Sequence, residues 1–599
     1  MKNHKQIYFL IFIIFSIFLS NFIASKINIS LGYTSIIGEY SQKNYHPIND
    51  FFKYFIYIFL PIFTFIAVKF YFDKKIFINL LSNLRIKTKL YSPDKVIHVF
   101  LVITIFLLIL EFLSIEFPLS KIDFFHEGQK LSGAYKNVAD GSLWSGSYVV
   151  VGIIYEVLNT KLIWKITGHE TIGSARFIDL IYVLTSKILL VFLAFQISKF
   201  INLSKNFKIL FFITFSFFLT QQIDYNIFSA DTIAFREIPV ILILILFFKS
   251  IVSYSRIYLA LISLLIISTF FWSIDRALVL LFFSFSIYLY LIINKKYIEI
   301  GFLLISKFFF IMIFFLLLDY EFKYFASNTI NVIKEHTYVN GLIHPDLFTN
   351  DKNSFRATKN IIAIILSLMI STNLLFHENK KFDFNIRLIL ISLSIISFLS
   401  YSYSIGRSDG PHLKQSFGFL YIFFLLYILN YILFKFQNYF KDNNIQKNIM
   451  TIFIFLFLFS HIKNYNFSNI YNFDNRLKNF ITLSDDKFLD EQDKIFVSKA
   501  SDIFKNEKCI QLLTNDAALY YLLKKTHCSK YYFVYSVGSN LNQKKFISEI
   551  KNTNYVILGG KTDNWSFLIK KKYPIISDYI ASNYILYKGF SNRFIFSKN

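Results

Sequence analysis

Apolar runs of about 18–22 residues recur along this chain from residue 6 to residue 463, and each can cross about 30 Å of hydrocarbon as an α-helix. The chain is 55% hydrophobic and contains 76 phenylalanines, which sets it apart from soluble domains. We therefore predict a mainly α fold, a polytopic transmembrane helical bundle of about 11–13 spans. The predicted spans lie at about 6–25, 51–72, 96–115, 176–197, 207–221, 233–249, 256–271, 277–294, 299–319, 359–377, 386–404, 416–434 and 448–463.

The formal net charge of +25 would suggest nucleic-acid binding in a soluble protein. In a membrane protein, basic loops instead mark the cytoplasmic side and contact anionic lipid. In this chain basic residues stand at the N-terminus, which contains Lys2, and in the loop after every second predicted span, as far as Lys380 and Lys381. The pattern predicts an inner-membrane protein with a cytoplasmic N-terminus and an outward-facing tail, and membrane lipid rather than nucleic acid as a partner.

The polar loops that carry chemically useful side chains all fall on the predicted outer side. They are 116–170, 221–232, 272–276, 320–358 and 406–415. Loops that merely connect helices would scatter such groups over both sides, so the pattern predicts one site on one face. The weaker apolar segment 148–158 is too short to span and predicts a re-entrant or interfacial helix.

Hydropathy changes near residue 466, which predicts a transmembrane domain at 1–465 and a periplasmic domain at 466–599. The second part alternates predicted strands and helices, which favours a small α/β domain with a mostly parallel sheet. The strands are 509–514, 530–535 and 554–560, the helices are 515–525, with Asn515 as a possible N-cap, and 542–553, and a hairpin ends the chain at 583–596.

Both cysteines of the chain, Cys509 and Cys528, lie in this C-terminal part. Two cysteines in one domain on the predicted oxidising side indicate a disulfide. The alternative is two unrelated small core residues.

The loop at 116–170 contains "DFFHEGQKLSGAYKNVADGSLW" (123–144), in which an acidic residue just after a span precedes an amphipathic helix and a glycine turn. The chain continues with "FSADTIAFRE" (228–237), "WSIDRAL" (272–278) and "GRSDGPHL" (406–413). In this order the segments resemble the GT-C superfamily of polytopic glycosyltransferases. The segment 512–537 resembles the periplasmic domain of some members. The likeness covers most of residues 96–560, although two predicted spans precede the acidic loop where a typical member has one.

The resemblance implies a polyprenyl-phosphate sugar as donor, a glycan or lipid as acceptor, and inversion at the anomeric carbon. The acceptor hydroxyl then needs a carboxylate base. Glu127 is our first choice and Asp123 the second, since a helix would place both on one face beside His126. Either residue could instead cap the helix that follows. No cofactor is predicted, and a divalent metal is left open, because superfamily members differ in metal use.

The leaving phosphate needs cations or donors, and the outer ends of later spans supply candidates. Arg236 could hold the phosphate, or it could pair with Glu237 or Asp231. For Arg276, a structural ion pair with Asp275 is the favoured interpretation. The last loop contributes Arg407, Asp409, His412 and Lys414 as further candidate binding residues. Arg407 or Lys414 could bind phosphate, although the glycine and proline at 410–411 also mark a turn.

Two other functions fit a polytopic chain. A lipid-linked glycan polymerase or ligase would also carry an external arginine loop, but the early acidic loop and the appended α/β domain argue against it. A transporter or flippase predicts broken spans in repeated halves, and no repeat is evident in this sequence.

Overall fold

The structure is a computed structural model that describes residues 2–30, 43–72, 95–225, 234–376, 382–440, 442–463, 465–532, 534–560, 573–590 and 592–599. Its N-terminal part is helical. The first six helices are α1 (Lys2–Ser25), α2 (Ile48–Phe72), α3 (Lys95–Ser114), α4 (His126–Asp140), α5 (Asn159–Thr167) and α6 (Ile172–Ser198), and a π-helix at Ile154–Leu158 runs directly into α5.

Eleven further helices follow. They are α7 (Lys205–Thr220), α8 (Phe235–Ser253), α9 (Arg256–Trp272), α10 (Ile274–Ile293), α11 (Tyr297–Leu318), α12 (Glu321–Asn340), α13 (Lys352–Phe376), α14 (Phe384–Tyr401), α15 (Gly410–Gln415), α16 (Gly418–Tyr439) and α17 (Asn443–Ile462). Ten helical segments in the described part of the chain are long and apolar enough to cross a membrane: α1, α2, α3, α6, α10, α11, α13, α14, α15 with α16, and α17. The fold is therefore that of a multi-pass membrane protein, as predicted.

Three more predicted spans are also helices. Two of them, α7 with 16 residues and α9 with 17, are short, and α8 carries two charged residues in its first turns. The main core joins α3, α6, α7, α8, α10, α14 and α16 through buried leucine, isoleucine and phenylalanine side chains. The α1–α2 hairpin packs against α13, α14 and α16 through a second cluster. Burial of these aliphatic and aromatic faces sets how the helix ends are arranged.

The C-terminal part contains α18 (Phe467–Tyr471), α19 (Phe473–Ile481), α20 (Glu491–Ile503), α21 (Ala518–Leu522), α22 (Asn540–Ile550) and α23 (Pro574–Asn583), with strands β1 (Cys509–Leu512), β2 (Thr526–His527), β3 (Tyr555–Gly559), β4 (Tyr584–Phe590) and β5 (Arg593–Lys598). The strand order is β2-β1-β3-β5-β4. The pairs of β1 with β2 and with β3 are parallel, whereas β5 is antiparallel to both β3 and β4. The terminal hairpin is as predicted, and the sheet is mixed rather than mostly parallel.

Two local predictions in this part were wrong. The strand expected at 530–535 is absent from the described residues there, because the Gln511 side chain binds that backbone: it accepts from the amide of Ser529 at 3.0 Å and donates to the carbonyl of Tyr531 at 2.9 Å. The short pairing strand is β2 instead. Asn515 is not the N-cap of the following helix, since α21 begins only at Ala518, after a turn in which the Thr514 hydroxyl accepts from the amide of Asp516.

The segment 320–358 was expected to be a loop, but most of it forms α12. This helix is too polar to look like a span, and amide side chains hold it in place. Asn328 bonds both the amide and the carbonyl of Val149, at 3.0 and 2.7 Å. Asn331 accepts from the Tyr148 hydroxyl at 2.9 Å. The helix therefore braces the first loop, a role that apolar periodicity alone does not reveal.

Cys509 and Cys528 form a disulfide with a Cα–Cα distance of 5.1 Å. It links the start of β1 to the residue after β2, where the two strands are parallel. The predicted pairing is thus present.

Replacing both cysteines with serine should destabilise this part of the chain. The bond closes a loop with a sequence separation of 19, and opening such a loop costs about 3 kcal/mol through the entropy of the unfolded chain. We expect faster proteolysis between residues 505 and 530 of the double variant in detergent, equal to that of reduced wild type. An unchanged cleavage rate would contradict the expectation.

Candidate active site

Asp123 caps the start of α4. One carboxylate oxygen, Oδ1, accepts from the amides of Phe125 and His126 at 2.9 and 3.0 Å, and Oδ2 lies 2.7 Å from His126 Nδ1. Burial alone would raise the pKa of Asp123, but the His126 ring and the two amides outweigh it and lower the pKa below its usual value. The side chain is still 43% exposed. Asp123 is thus an ionised carboxylate, oriented by a histidine, that a ligand can reach.

Glu127 is in a different environment. Its Oε1 accepts from Arg176 Nε at 2.6 Å, and its Oε2 accepts from Arg176 Nη2 at 2.9 Å and from the Asp123 amide at 2.8 Å. Arg176, on α6, also donates to the carbonyls of Pro118 and Ser120. Both residues are buried. Both carboxylates accept hydrogen bonds, but Glu127 is buried against Arg176 whereas Asp123 is partly exposed, so Asp123 is the more accessible of the two to a ligand.

A second group of polar residues lies where α8 and α10 begin. We call it the arginine cluster: Arg236 and Glu237 from α8, Asp275 and Arg276 from α10, and Tyr403 from the turn after α14. Arg276 Nη2 lies 2.5 Å from Glu237 Oε1, and Arg236 Nη1 donates to the Tyr403 hydroxyl at 2.8 Å. Asp275 lies between the two guanidinium groups, with its Oδ2 3.7 Å from each. Both arginines stack on the Tyr403 ring, at 5.3 and 5.2 Å from its centre.

The arginine cluster is incompletely satisfied. Within the residues that the structure describes, Arg236 Nε and both Nε and Nη1 of Arg276 are buried without a hydrogen-bond partner. A buried donor left unpaired costs about 1–3 kcal/mol, and exceptions of this kind call for an explanation. The two arginines and two carboxylates of the cluster sum to zero formal charge. An anion would therefore be held by the N–H groups that lack a partner among the described residues, close to the N-termini of α8 and α10, whose dipoles favour negative charge.

The loop before α16 joins this cluster. His412 Nδ1 lies 2.5 Å from Asp409 Oδ1, and the His412 ring is centred 5.2 Å from the Tyr403 ring. Arg407 interacts electrostatically with both Asp409 and His412. Lys414 is exposed on α15. The structure therefore gathers most of the predicted binding residues around Tyr403 and leaves Lys414 on the surface.

Buried polar side chains connect α4 to the arginine cluster. Glu156, in the π-helix, accepts from the amides of Val150 and Val151 and from the Tyr532 hydroxyl, and it interacts electrostatically with Arg236. Burial raises its pKa. Lys130 of α4 forms a buried ion pair with Asp179 of α6, and its ammonium lies 5.5 Å from the centre of the Tyr155 ring.

Sequence reasoning missed Arg176, Glu156, Tyr403 and the Lys130–Asp179 pair. Arg176 gave a usable signal, because it stands at the outer end of a predicted span just as Arg236 does. The segment 226–233, which includes Asp231, lies outside the described residues. No group of three or more metal-ligating side chains lies together in the described part of the chain.

An apolar groove of about 440 Å³ runs along α13 and reaches α16. It is lined by Phe355, Thr358, Lys359, Ile362, Ala363, Leu366 and Phe424. At its near end α13 contacts α15, and the Arg356 side chain packs against Gly410 so closely that a side chain there would displace it. The groove thus begins beside the loop that carries Asp409 and His412, and its walls suit a hydrocarbon chain.

No family model matches this chain, and no curated protein matches it. In a comparison with solved structures, the chain is similar to the crystal structure of ArnT from Cupriavidus metallidurans in the apo state. The alignment covers 84% of this chain and 98% of that one, with 10% identity and a TM-score of 0.35.

Replacing Glu127 with glutamine should lower stability. Breaking a buried ion pair costs about 3–5 kcal/mol, and the Arg176 guanidinium would lose its charged partner. Glu491→Gln is the matched control, since Glu491 forms an exposed pair with Lys494, and solvent-exposed pairs contribute little to stability. Thermal unfolding in detergent should separate the two variants by several degrees, and equal melting temperatures would show that Glu127 is not a structural residue.

Proposed function

We propose that this chain is a membrane glycosyltransferase of the GT-C type, which moves a sugar from a polyprenyl-phosphate donor to a glycan or lipid acceptor. The observation that carries the proposal is the set of buried, unpartnered guanidinium N–H groups of Arg236 and Arg276. Together with the apolar groove, they fit an anion attached to a long hydrocarbon chain. A lipid-linked phosphate has this combination of chemistry.

In the proposed reaction, Asp123 accepts the proton of an acceptor hydroxyl. The acceptor oxygen attacks the anomeric carbon of the donor sugar, and the bond from that carbon to the phosphate oxygen breaks. The polyprenyl phosphate leaves with the added negative charge, which Arg236 and Arg276 stabilise. A single displacement of this kind inverts the anomeric centre.

Two features support Asp123 as the base. Its lowered pKa keeps it ionised at neutral pH, and its half-exposed position lets an acceptor approach. His126 holds the carboxylate through Nδ1 and so fixes its orientation before an acceptor approaches. Transfer further requires the bound donor to bring its anomeric carbon from the arginine cluster to within reach of Asp123.

On the predicted topology, the site faces the periplasm. This suits a lipid-linked donor, because nucleotide sugars are confined to the cytoplasm. The unpartnered carboxylate oxygens Glu237 Oε2 and Asp275 Oδ2 would accept hydrogen bonds from the sugar hydroxyls next to the phosphate. The sugar itself is not specified by these contacts.

The first test is sugar transfer by purified protein in detergent, with radiolabelled polyprenyl-phosphate sugars and cell-envelope acceptors. Asp123→Asn should abolish transfer without unfolding the protein, because asparagine caps a helix as well as aspartate does.

Arg276→Gln should lower kcat/KM by about 100-fold, the usual loss for a donor that stabilises a developing anion. Arg256→Gln, an exposed arginine at the start of α9, is the matched control and should change kcat/KM less than about twofold.

Three outcomes would contradict the proposal. No transfer by folded wild type from any polyprenyl-phosphate sugar would exclude the activity and favour a transporter. Transfer only from lipid-diphosphate glycans would indicate the polymerase or ligase alternative. Full activity of Asp123→Asn would exclude Asp123 as the base and direct attention to Asp275.

A further inference from the structure

The C-terminal sheet has a topological switch point. From β1 the chain passes to β2 on one side, then crosses to β3 on the other, and both neighbours are parallel to β1. In open α/β sheets with this order, ligands bind in the crevice outside the carboxyl ends of the two central strands. In this chain the crevice lies beyond β1 and β3.

The segment that follows the carboxyl end of β1 contacts the start of α4. The Ala518 amide donates to the carbonyl of Phe124 at 3.0 Å, and the Ser132 hydroxyl donates to the carbonyl of Ala517 at 2.5 Å. A Cβ on Gly128 would clash with the Ala518 backbone and lie 3.0 Å from the Ala517 carbonyl carbon. The first loop of the membrane part therefore fills the position that a ligand would take.

Arg593 secures this contact from the sheet side. It pairs with Gly559 across the β3–β5 ladder, so it lies at the same edge of the sheet. Its guanidinium donates to Asp493 at 2.6 Å and Asp516 at 2.9 Å, and it lies 4.9 Å from the centre of the Phe124 ring. Phe124 is buried and adjacent to Asp123 in sequence.

We propose that the C-terminal α/β unit is a clamp that uses its ligand crevice to hold the chain's own Asp123–His126 segment. The catalytic consequence rests on the proposed function, whereas the docking itself does not. Phe124, Gly128 and Arg593 are then positioning residues for Asp123.

The test compares two glycine variants of the full chain in detergent. Alanine is ordinarily more favourable than glycine within a helix. At Gly301 in α11 an added Cβ meets nothing within 4 Å, so Gly301→Ala should be neutral or stabilising. At Gly128 in α4 the added methyl should push the helix away from Ala517 and Ala518.

Hydrogen exchange measures the docking without activity. Gly128→Ala should exchange the Ala518 amide and the first amides of α4 at least about tenfold faster than wild type, whereas Gly301→Ala should match wild type. Kinetics then measure the role. In Gly128→Ala we expect kcat to fall about 10- to 100-fold with the donor KM unchanged, since the arginine cluster belongs to other helices.

Phe124→Leu is the second variant, in case Gly128→Ala does not fold. It keeps an apolar side chain but removes the ring beneath Arg593. We expect kcat to fall with an unchanged donor KM, as in Gly128→Ala, but by a smaller factor. Unchanged exchange at Ala518 in both variants would overturn the clamp. If the donor KM rises and the melting temperature falls together, the contact only stabilises the fold, and a role in positioning Asp123 is contradicted. If wild type transfers no sugar, the proposed function fails, and the exchange data still decide the docking.

Discussion

The buried ion pair between Glu127 and Arg176 is the interaction on which the site depends. Removing two charges from water is costly unless their hydrogen-bonding capacity is met, and here it is. Arg176 reaches Glu127 and three backbone carbonyls, at Pro118, Ser120 and Lys121. These contacts join the approach to α4, its first turn and the start of α6 into one unit. The cap geometry of Asp123 and the position of its carboxylate follow from that unit.

The arginine cluster differs from the Glu127–Arg176 pair in how completely its buried charged groups are hydrogen-bonded. Arg236 and Arg276 have nearby carboxylates, but three of their nitrogens make no hydrogen bond within the described part of the chain. A fully paired guanidinium such as that of Arg176 has nothing left for a ligand, whereas an incompletely paired one keeps capacity for an anion. This contrast distinguishes Arg176, whose hydrogen bonds are complete, from Arg236 and Arg276, which we propose to bind an anion. All three stand near helix ends, so their positions in the sequence alone could not distinguish them.

Much of the architecture followed from the sequence, because apolar length is a strong and local signal. The spans, the terminal hairpin and the pairing of Cys509 with Cys528 were predicted on that basis or from composition. The grouping of Arg236, Arg276 and His412 followed from placing their loops on one side of the bundle. What the sequence did not reveal depended on distant partners. The Gln511 side chain bonds the backbone where a strand was predicted, and Asn328 and Asn331 bond the first loop from α12, in a segment expected to be a loop. The partner of Glu127 is likewise distant, since Arg176 lies 49 positions away.

The contact between the first loop and the α/β unit also affects the order in which parts of the protein form during synthesis. Ser132 and its partner Ala517 are separated by 385 positions. At synthesis rates of about 5–20 residues per second, roughly 20 to 80 seconds pass between the synthesis of the first loop and that of the segment that contacts it. Throughout that interval the spans that precede the α/β unit can insert and pack, while the start of α4 lacks its partner. A chain truncated before β1 would therefore contain all ten apolar helices but lack the contact that holds its first loop.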